Sequence, residues 1–303
     1  MSSHTTIVTC LYNCSPYSRI GGRGYSWKYY LAPFTNLLSL DSNIVVFTDK
    51  VIKEQLEEFF NLNSFTNYKI IIHDLNSYKH SDSIYKLKES LGIIDSEGVV
   101  DRMYPNLRNS RNHHICLSKT EFLLRSIKEQ FFNTEYFYWI DGGLFHDALI
   151  PQSLGGMELF TKPDRSRMWP ENKSSVSSPT FFSNLVKKTS KDLTLLGIDN
   201  LYVRPFELKD FFEKEKITHI VGGLFGGRRK TVVGFCEKIN KVIDCLFDKN
   251  ILSLEEEVLS GVFADSFFEQ SYLPFRCWGH DRPDEPSYLG VPPGSDSFYK
   301  LFV

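Results

Sequence analysis

The chain has no apolar run approaching the about 20 residues of a membrane-spanning helix, and its opening, MSSHTTIVTCLYNC, has neither the basic stretch nor the apolar core of a secretory leader. These absences predict a soluble, cytoplasmic protein with at most peripheral contact with the inner membrane face. Charge of one sign is also missing. The 35 basic and 37 acidic residues leave a net charge of -2, too little for the broad field that draws nucleic acid or an anionic membrane. No nucleic-acid partner and no obligate protein partner is expected, although local basic loops remain open. The six cysteines (Cys10, Cys14, Cys116, Cys236, Cys245, Cys277) contain no CxxC pair, so they read as reduced thiols packed as small hydrophobes. The spacing of Cys10 and Cys14 suits a redox pair or a metal, but the second pair such a site needs is absent. No internal repeat or low-complexity array is present.

What the chain does have is enough apolar material for a large core: of 303 residues, 42% are hydrophobic and 15% aromatic, which suits one long α/β domain or a domain with an appendage. Short apolar runs recur. TIVTCLY (6–12), NIVVFTD (43–49), KIIIHDL (69–75) and YFYWI (136–140) read as buried strands, and helical stretches separate them. That alternation predicts a mostly parallel mixed sheet with helices on both faces, whose strand ends collect ligand-binding groups. Ser118 to Phe132 reads as a helix opened by the capping box Ser118/Glu121. In residues 230–247, Val232, Phe235, Cys236, Ile239, Val242, Ile243 and Leu246 fall at three-four spacing, an amphipathic helix. A second helix begins at SLEEEVLSGVF. Residues 162–192, broken by Pro163, Pro170 and Pro179, read as a long loop or lid, and the Pro- and Gly-rich end as a wrapping tail. The expected organisation is one domain over 1–303, with halves at 1–150 and 151–280 and a tail at 281–303.

Three places concentrate chemistry. Asp141 ends the strand YFYWI and precedes Gly142 and Gly143, so a charge stands where a buried strand would lose free energy by leaving it unpaired. A cation bound beyond the strand end would answer that charge, as would a helix N-terminus or an arginine. GGLFGGRRK (222–230) removes side-chain bulk just before a helix, where backbone amides meet a substrate or a tight turn simply packs closely. Glu255, Glu256 and Glu257 open a helix with Ser253 and Glu256 in capping-box register, so their charges serve the helix dipole or catalysis.

WIDGG resembles the W-I-D-x-G segment of the bacterial HtrL/YibB-like family, and TIVTCLYN, the FTD at 47–49 and LSKTEFLL occur in the same order. The likeness covers most of the first 150 residues. Beyond it, GGLFGG, a helix and then EEEVLSGVFAD are similar in order to retaining galactosyl- and glucosyltransferases of the GT-A fold. The resemblance implies a GT-A-like, Rossmann-like sheet and a metal-assisted glycosyltransferase, using Mn²⁺ or Mg²⁺. It would move a hexose-type sugar from a nucleotide sugar, such as a UDP-sugar, to a glycan or glycolipid acceptor in bacterial surface polysaccharide or lipopolysaccharide synthesis.

Carried over by position, the resemblance makes Asp141 an acid of the metal-diphosphate motif and His280 a second metal ligand, unless His280 is simply a surface histidine of the tail. It sets the loop from Arg19 through Arg23 to Tyr25, with Asp49, near the nucleoside. Lys119 would face the nucleotide, unless it is a solvated lysine of the first helical turn. Gly222, Gly223, Gly226 and Gly227 would lie against the sugar, and Glu256 beneath the anomeric carbon as the catalytic carboxylate. Arg102, Arg108, Arg111, His113 and His114 would form a basic loop. Where relatives carry Asp-x-Asp, this chain has Gly143 in the second place. Retention against inversion stays open, as do a nucleotidyltransferase and a non-catalytic binding module of the same fold.

Overall fold

Side chains alternate across a strand, so a strand buried on both faces must offer apolar groups at every position. YFYWI does so, TIVTCLY and NIVVFTD come close with threonines among their buried residues, and KIIIHDL at the edge of the sheet is only partly covered. The computed structural model describes residues 4–12, 34, 37–38, 40, 42–90, 110–142, 193–197, 220–264 and 270–274. Within them the runs become β1 (Thr5–Leu11), β2 (Asn43–Thr48), β3 (Tyr68–Ile72) and β4 (Tyr136–Ile140), joined by helices α1 (Lys50–Leu62), α2 (Ser81–Ser90) and α3 (Ser110–Lys128). The later chain adds β5 (Leu193–Gly197), β6 (Ile220–Arg228), α4 (Arg229–Asp248), α5 (Glu255–Ala264) and β7 (Gln270–Pro274).

These strands form one seven-stranded sheet in the order β3-β2-β1-β4-β6-β5-β7. β1 is parallel to β2 and β4, β2 to β3, and β5 to β7, whereas β6 runs antiparallel to both β4 and β5. The fold is α/β with a mostly parallel mixed sheet. One face buries Val8, Val45, Phe47, Phe137 and Trp139 under α3, α4 and α5. The other buries Ile7, Ile44, Val46, Tyr138 and Ile140 against Ile52, Leu56 and Phe60 of α1 and against Phe34, Leu37 and Leu40. All seven apolar positions picked from α4 are buried.

Two expectations change. Helix α3 starts at Ser110, eight residues before the capping box foreseen at Ser118, and the Ser118 hydroxyl is buried inside it with no hydrogen-bond partner. The helix ends at Lys128 because Gln130 takes a positive φ of 49°, which the right-handed helix does not accommodate. GGLFGG is the interior of β6 and not a tight turn. Its glycines break the apolar alternation by which a strand is recognised, and the pairing with β4 overrides their low strand preference.

Candidate active site at the end of β4

Strand β4 delivers Asp141 to the carboxyl edge of the parallel strands, the edge where open α/β sheets bind ligands. Its backbone N–H still belongs to the sheet, donating to the Gly223 carbonyl at 2.9 Å. On the side chain, Oδ1 accepts from the indole Nε1 of Trp139 at 2.7 Å and from the Lys119 ammonium at 2.9 Å. Oδ2 has no partner among the described residues, and the side chain is 39% exposed. Asp141 therefore has one oxygen fixed inward and one presented outward.

Lys119 is neither a solvated lysine nor a free phosphate ligand. It sits in the middle of α3, buried, with its ammonium 2.9 Å from Asp141 Oδ1, 2.9 Å from Glu255 Oε2 and 2.9 Å from the Gly222 carbonyl oxygen. An ammonium has three protons, and each of the three oxygens takes one. In this arrangement its donors are taken up by these three oxygens. Burial works against its charge, but the carboxylates of Asp141 and Glu255 outweigh that and hold it well above the usual lysine range. The ammonium also stands 5.5 Å from the centre of the Trp139 ring.

The Gly222 carbonyl is available because of an irregularity in β6. Leu195 of β5 faces Phe225, but its neighbour Leu196 faces Val221, so Gly222, Gly223 and Leu224 have no opposite number on β5. The bulge turns a ladder acceptor toward Lys119. Gly222 must also lack a side chain, since a Cβ there would lie 2.3 Å from Glu255 Oε1. The second glycine pair does something else. Gly226 and Gly227 pair with Tyr138 and Phe137, well back along β4 from Asp141, and a Cβ on Gly226 would come within 2.3 Å of the Phe137 carbonyl oxygen. Gly226 and Gly227 serve strand packing, the plainer of the two readings. Gly142 likewise makes room for the Phe34 ring, 2.3 Å from where its Cβ would be.

The three glutamates of α5 have separate surroundings. Glu255 pairs with Lys119; burial raises its carboxyl, the Lys119 cation opposes that rise, and its Oε1 is buried without a partner. Glu257 reaches back to accept from the Leu254 N–H at 2.9 Å, which makes it, and not Glu256, the capping carboxylate, while the Ser253 hydroxyl lacks a partner. The box is displaced by one residue because α5 begins at Glu255. Glu256 is half-buried and accepts no hydrogen bond on its side chain among the described residues. Burial raises its carboxyl, Lys119 lowers it, and Asp141 and Glu257 raise it. It is the acid left unengaged in the field of Lys119 and Asp141.

Asp49 caps a helix: its Oδ1 accepts from the Ile52 N–H at 3.0 Å as the N-cap of α1. His113 and His114 are not in a basic loop but on α3, buried. His113 donates from Nε2 to the Ser253 carbonyl at 3.1 Å, and burial pushes its imidazole down to about 3. The fixed backbone helps tie α3 to the start of α5. Arg19, Arg23, Arg102, Arg108, Gly143, His280 and the 162–192 segment lie outside the described residues. Among the described residues no group of three His, Cys, Asp or Glu side chains is arranged to hold a metal. Asp141 Oδ2 alone fits a cation that keeps most of its ligands from phosphates and water, as Mg²⁺ does. No helix among the described residues is long and apolar enough to cross a membrane. The described cysteines Cys10, Cys116, Cys236 and Cys245 are free thiols, as expected.

Sequence singled out Asp141, Lys119 and the glycines as candidates but not Glu255 as the side chain that meets them. The triple glutamate was the signal, and the choice within it depended on helical phase, which the shifted capping box disguised. No curated protein matches the chain. Among solved structures, it is similar to 4-diphosphocytidyl-2C-methyl-D-erythritol synthase of Anaerococcus prevotii DSM 20548, with 8% identity, a TM-score of 0.39, and coverage of 91% of this chain and 90% of that one. The family model described as bacterial protein of unknown function (HtrL_YibB) matches residues 3–154, from before β1 to beyond Asp141. The chain belongs to the HtrL/YibB family of bacterial proteins.

Proposed function

We propose that the protein is a metal-assisted glycosyltransferase that moves a hexose-type sugar from a nucleoside diphosphate sugar, UDP-linked, to a glycan or glycolipid acceptor of the bacterial surface. The observation that carries this reading is the pair of acids left for a ligand: Asp141 with Oδ2 turned outward at the carboxyl edge of the sheet, and Glu256 half-buried and unengaged within its field. Cleavage of a sugar-diphosphate bond builds negative charge on the leaving oxygen and positive charge on the anomeric carbon. A divalent cation, Mn²⁺ or Mg²⁺, would supply charge to the diphosphate side when bound, and Asp141 Oδ2 is the protein oxygen that would help hold it. Glu256 would set a carboxylate against the developing positive charge on the anomeric carbon. Gly222 and Gly223 would border the sugar, with Arg19, Arg23, His280 and residues 162–192 as further contributors.

A second reading, a non-catalytic sugar-nucleotide or protein-binding module, is favoured by one feature: Lys119 already occupies the space between Asp141 and Glu255, where an enzyme would use free carboxylates. Calorimetric titration with UDP and Mn²⁺, followed by a screen of sugar nucleotides for release of nucleoside diphosphate, separates the readings. Release that depends on Mn²⁺ and is lost in Asp141→Asn supports the transferase. Binding without release supports the module, and no binding of any nucleotide removes both nucleotide readings.

A further inference from the structure

Three oxygens from three elements converge on one point: Asp141 Oδ1 after β4, Gly222 O in β6 and Glu255 Oε2 at the start of α5, each 2.9 Å from the Lys119 ammonium carried by α3. The pocket around that point is built. The Lys119 side chain is 5% exposed and that of Glu255 10%. Gly222 has no room for a Cβ beside the Glu255 carboxylate, and the β6 bulge turns the carbonyl inward. Two carboxylates and a carbonyl so placed would repel one another without a cation, and burying them unpaired is costly.

We propose that Lys119 is a tethered cation filling a preformed three-oxygen site, and that by holding Oδ1 of Asp141 it is the positioning residue that turns Oδ2 toward the ligand. The ligand side of this statement rests on the transferase reading; the cation site does not. Trp139 holds the same Oδ1 from beneath, so two donors fix one oxygen and leave the other. Deleting the chain beyond Cβ should leave a hole in the shape of a small alkylammonium ion.

The test is Lys119→Ala with added n-propylammonium, which replaces the deleted atoms one for one, against tetramethylammonium at equal ionic strength, which carries the charge but no N–H. Lys119→Ala should unfold roughly 5–10 °C below the parent. Propylammonium should restore part of that loss saturably, and tetramethylammonium should not. Restoration should vanish when Asp141→Asn or Glu255→Gln is added to Lys119→Ala. The positioning claim is read from the Trp139 indole N–H resonance, assigned by Trp139→Phe, which should move in Lys119→Ala and return with propylammonium. Equal effects of the two cations, or an equal gain in the parent, would overturn the cation site. An indole resonance that stays shifted while stability returns would overturn the positioning role. If Lys119→Ala does not fold, the unmodified protein decides: a slowly exchanging Lys119 ammonium signal that is perturbed by Glu255→Gln supports the site, and a freely exchanging one removes it. None of these measurements uses nucleotide or metal, so they stand apart from failure of the transferase assay.

Discussion

Gly222 and Glu255 occupy the same space: a Cβ on Gly222 would lie 2.3 Å from one carboxylate oxygen of Glu255 and 2.6 Å from the other. Two motifs far apart in sequence are thus one packing unit. Gly222→Ala should destabilise the protein by about 1–3 kcal/mol in urea unfolding, because the carboxylate must move away from Lys119. In the double variant Gly222→Ala/Glu255→Ala the two costs should be clearly less than additive, since the clash has been removed. Simple additivity would mean the two sites do not interact.

Asp141→Asn keeps an acceptor for the Trp139 indole but removes the charge that faces Lys119. We expect a folded protein, less stable by about 1–2 kcal/mol for this partly exposed pair, with no Mn²⁺-dependent release of nucleoside diphosphate. Circular dichroism and the release assay check both parts. Near-parental release would make Asp141 a structural acid.

The glutamates of α5 separate by variant. Glu255→Gln should lower stability, by about 1–3 kcal/mol, because it weakens a buried ion pair. Glu257→Gln should change little, since glutamine also serves at that capping position. Glu256→Gln should leave unfolding unchanged and lower kcat by about 100-fold, with donor affinity nearly constant. Equal losses of activity in all three, measured under saturating donor, would deny Glu256 any special place.

Burial pushes the His113 imidazole down to about 3, with Lys88 and His114 adding to the fall and the Ser253 carbonyl opposing it. In the unfolded chain the ring titrates near 6.5, so below that value the unfolded state takes up a proton that the folded state refuses. This residue's contribution is intact above about pH 6.5 and is lost progressively as pH falls toward 3. About 2 kcal/mol should be gone by pH 5. His113→Gln keeps an N–H for the Ser253 carbonyl and does not titrate, so denaturant unfolding at pH 7 and pH 5 should differ less in the variant than in the parent. An unchanged difference would place the acid sensitivity elsewhere.

The parallel half of the sheet was legible because β1, β2 and β4 are short runs rich in β-branched and aromatic residues, and α4 because its seven buried residues keep helical spacing. β6 was hidden by its own glycines, which erase the periodicity on which strand recognition depends. The start of α3 was hidden by Ser118, a small polar residue that looks like a cap but is buried mid-helix. For the site, local sequence marks a strand-end acid but contains no information on which helix brings its cation. Lys119, Asp141, Gly222 and Glu255 meet only through tertiary packing, so each looked like a separate feature.

The order of synthesis gives the position of β6 a further meaning. Strands β1 to β4 and helices α1 to α3 form a contiguous stretch of chain, and their parallel pairing can be complete before β6 has left the ribosome. Until then β4 is an open edge, and Lys119 and Asp141 have each other but neither Gly222 nor Glu255. Arrival of β6 closes that edge, and α5 follows it in the chain. The four-part cluster is therefore among the last arrangements to form, and a chain truncated before α5 would carry the acid of the site without the partner that completes its cation's shell.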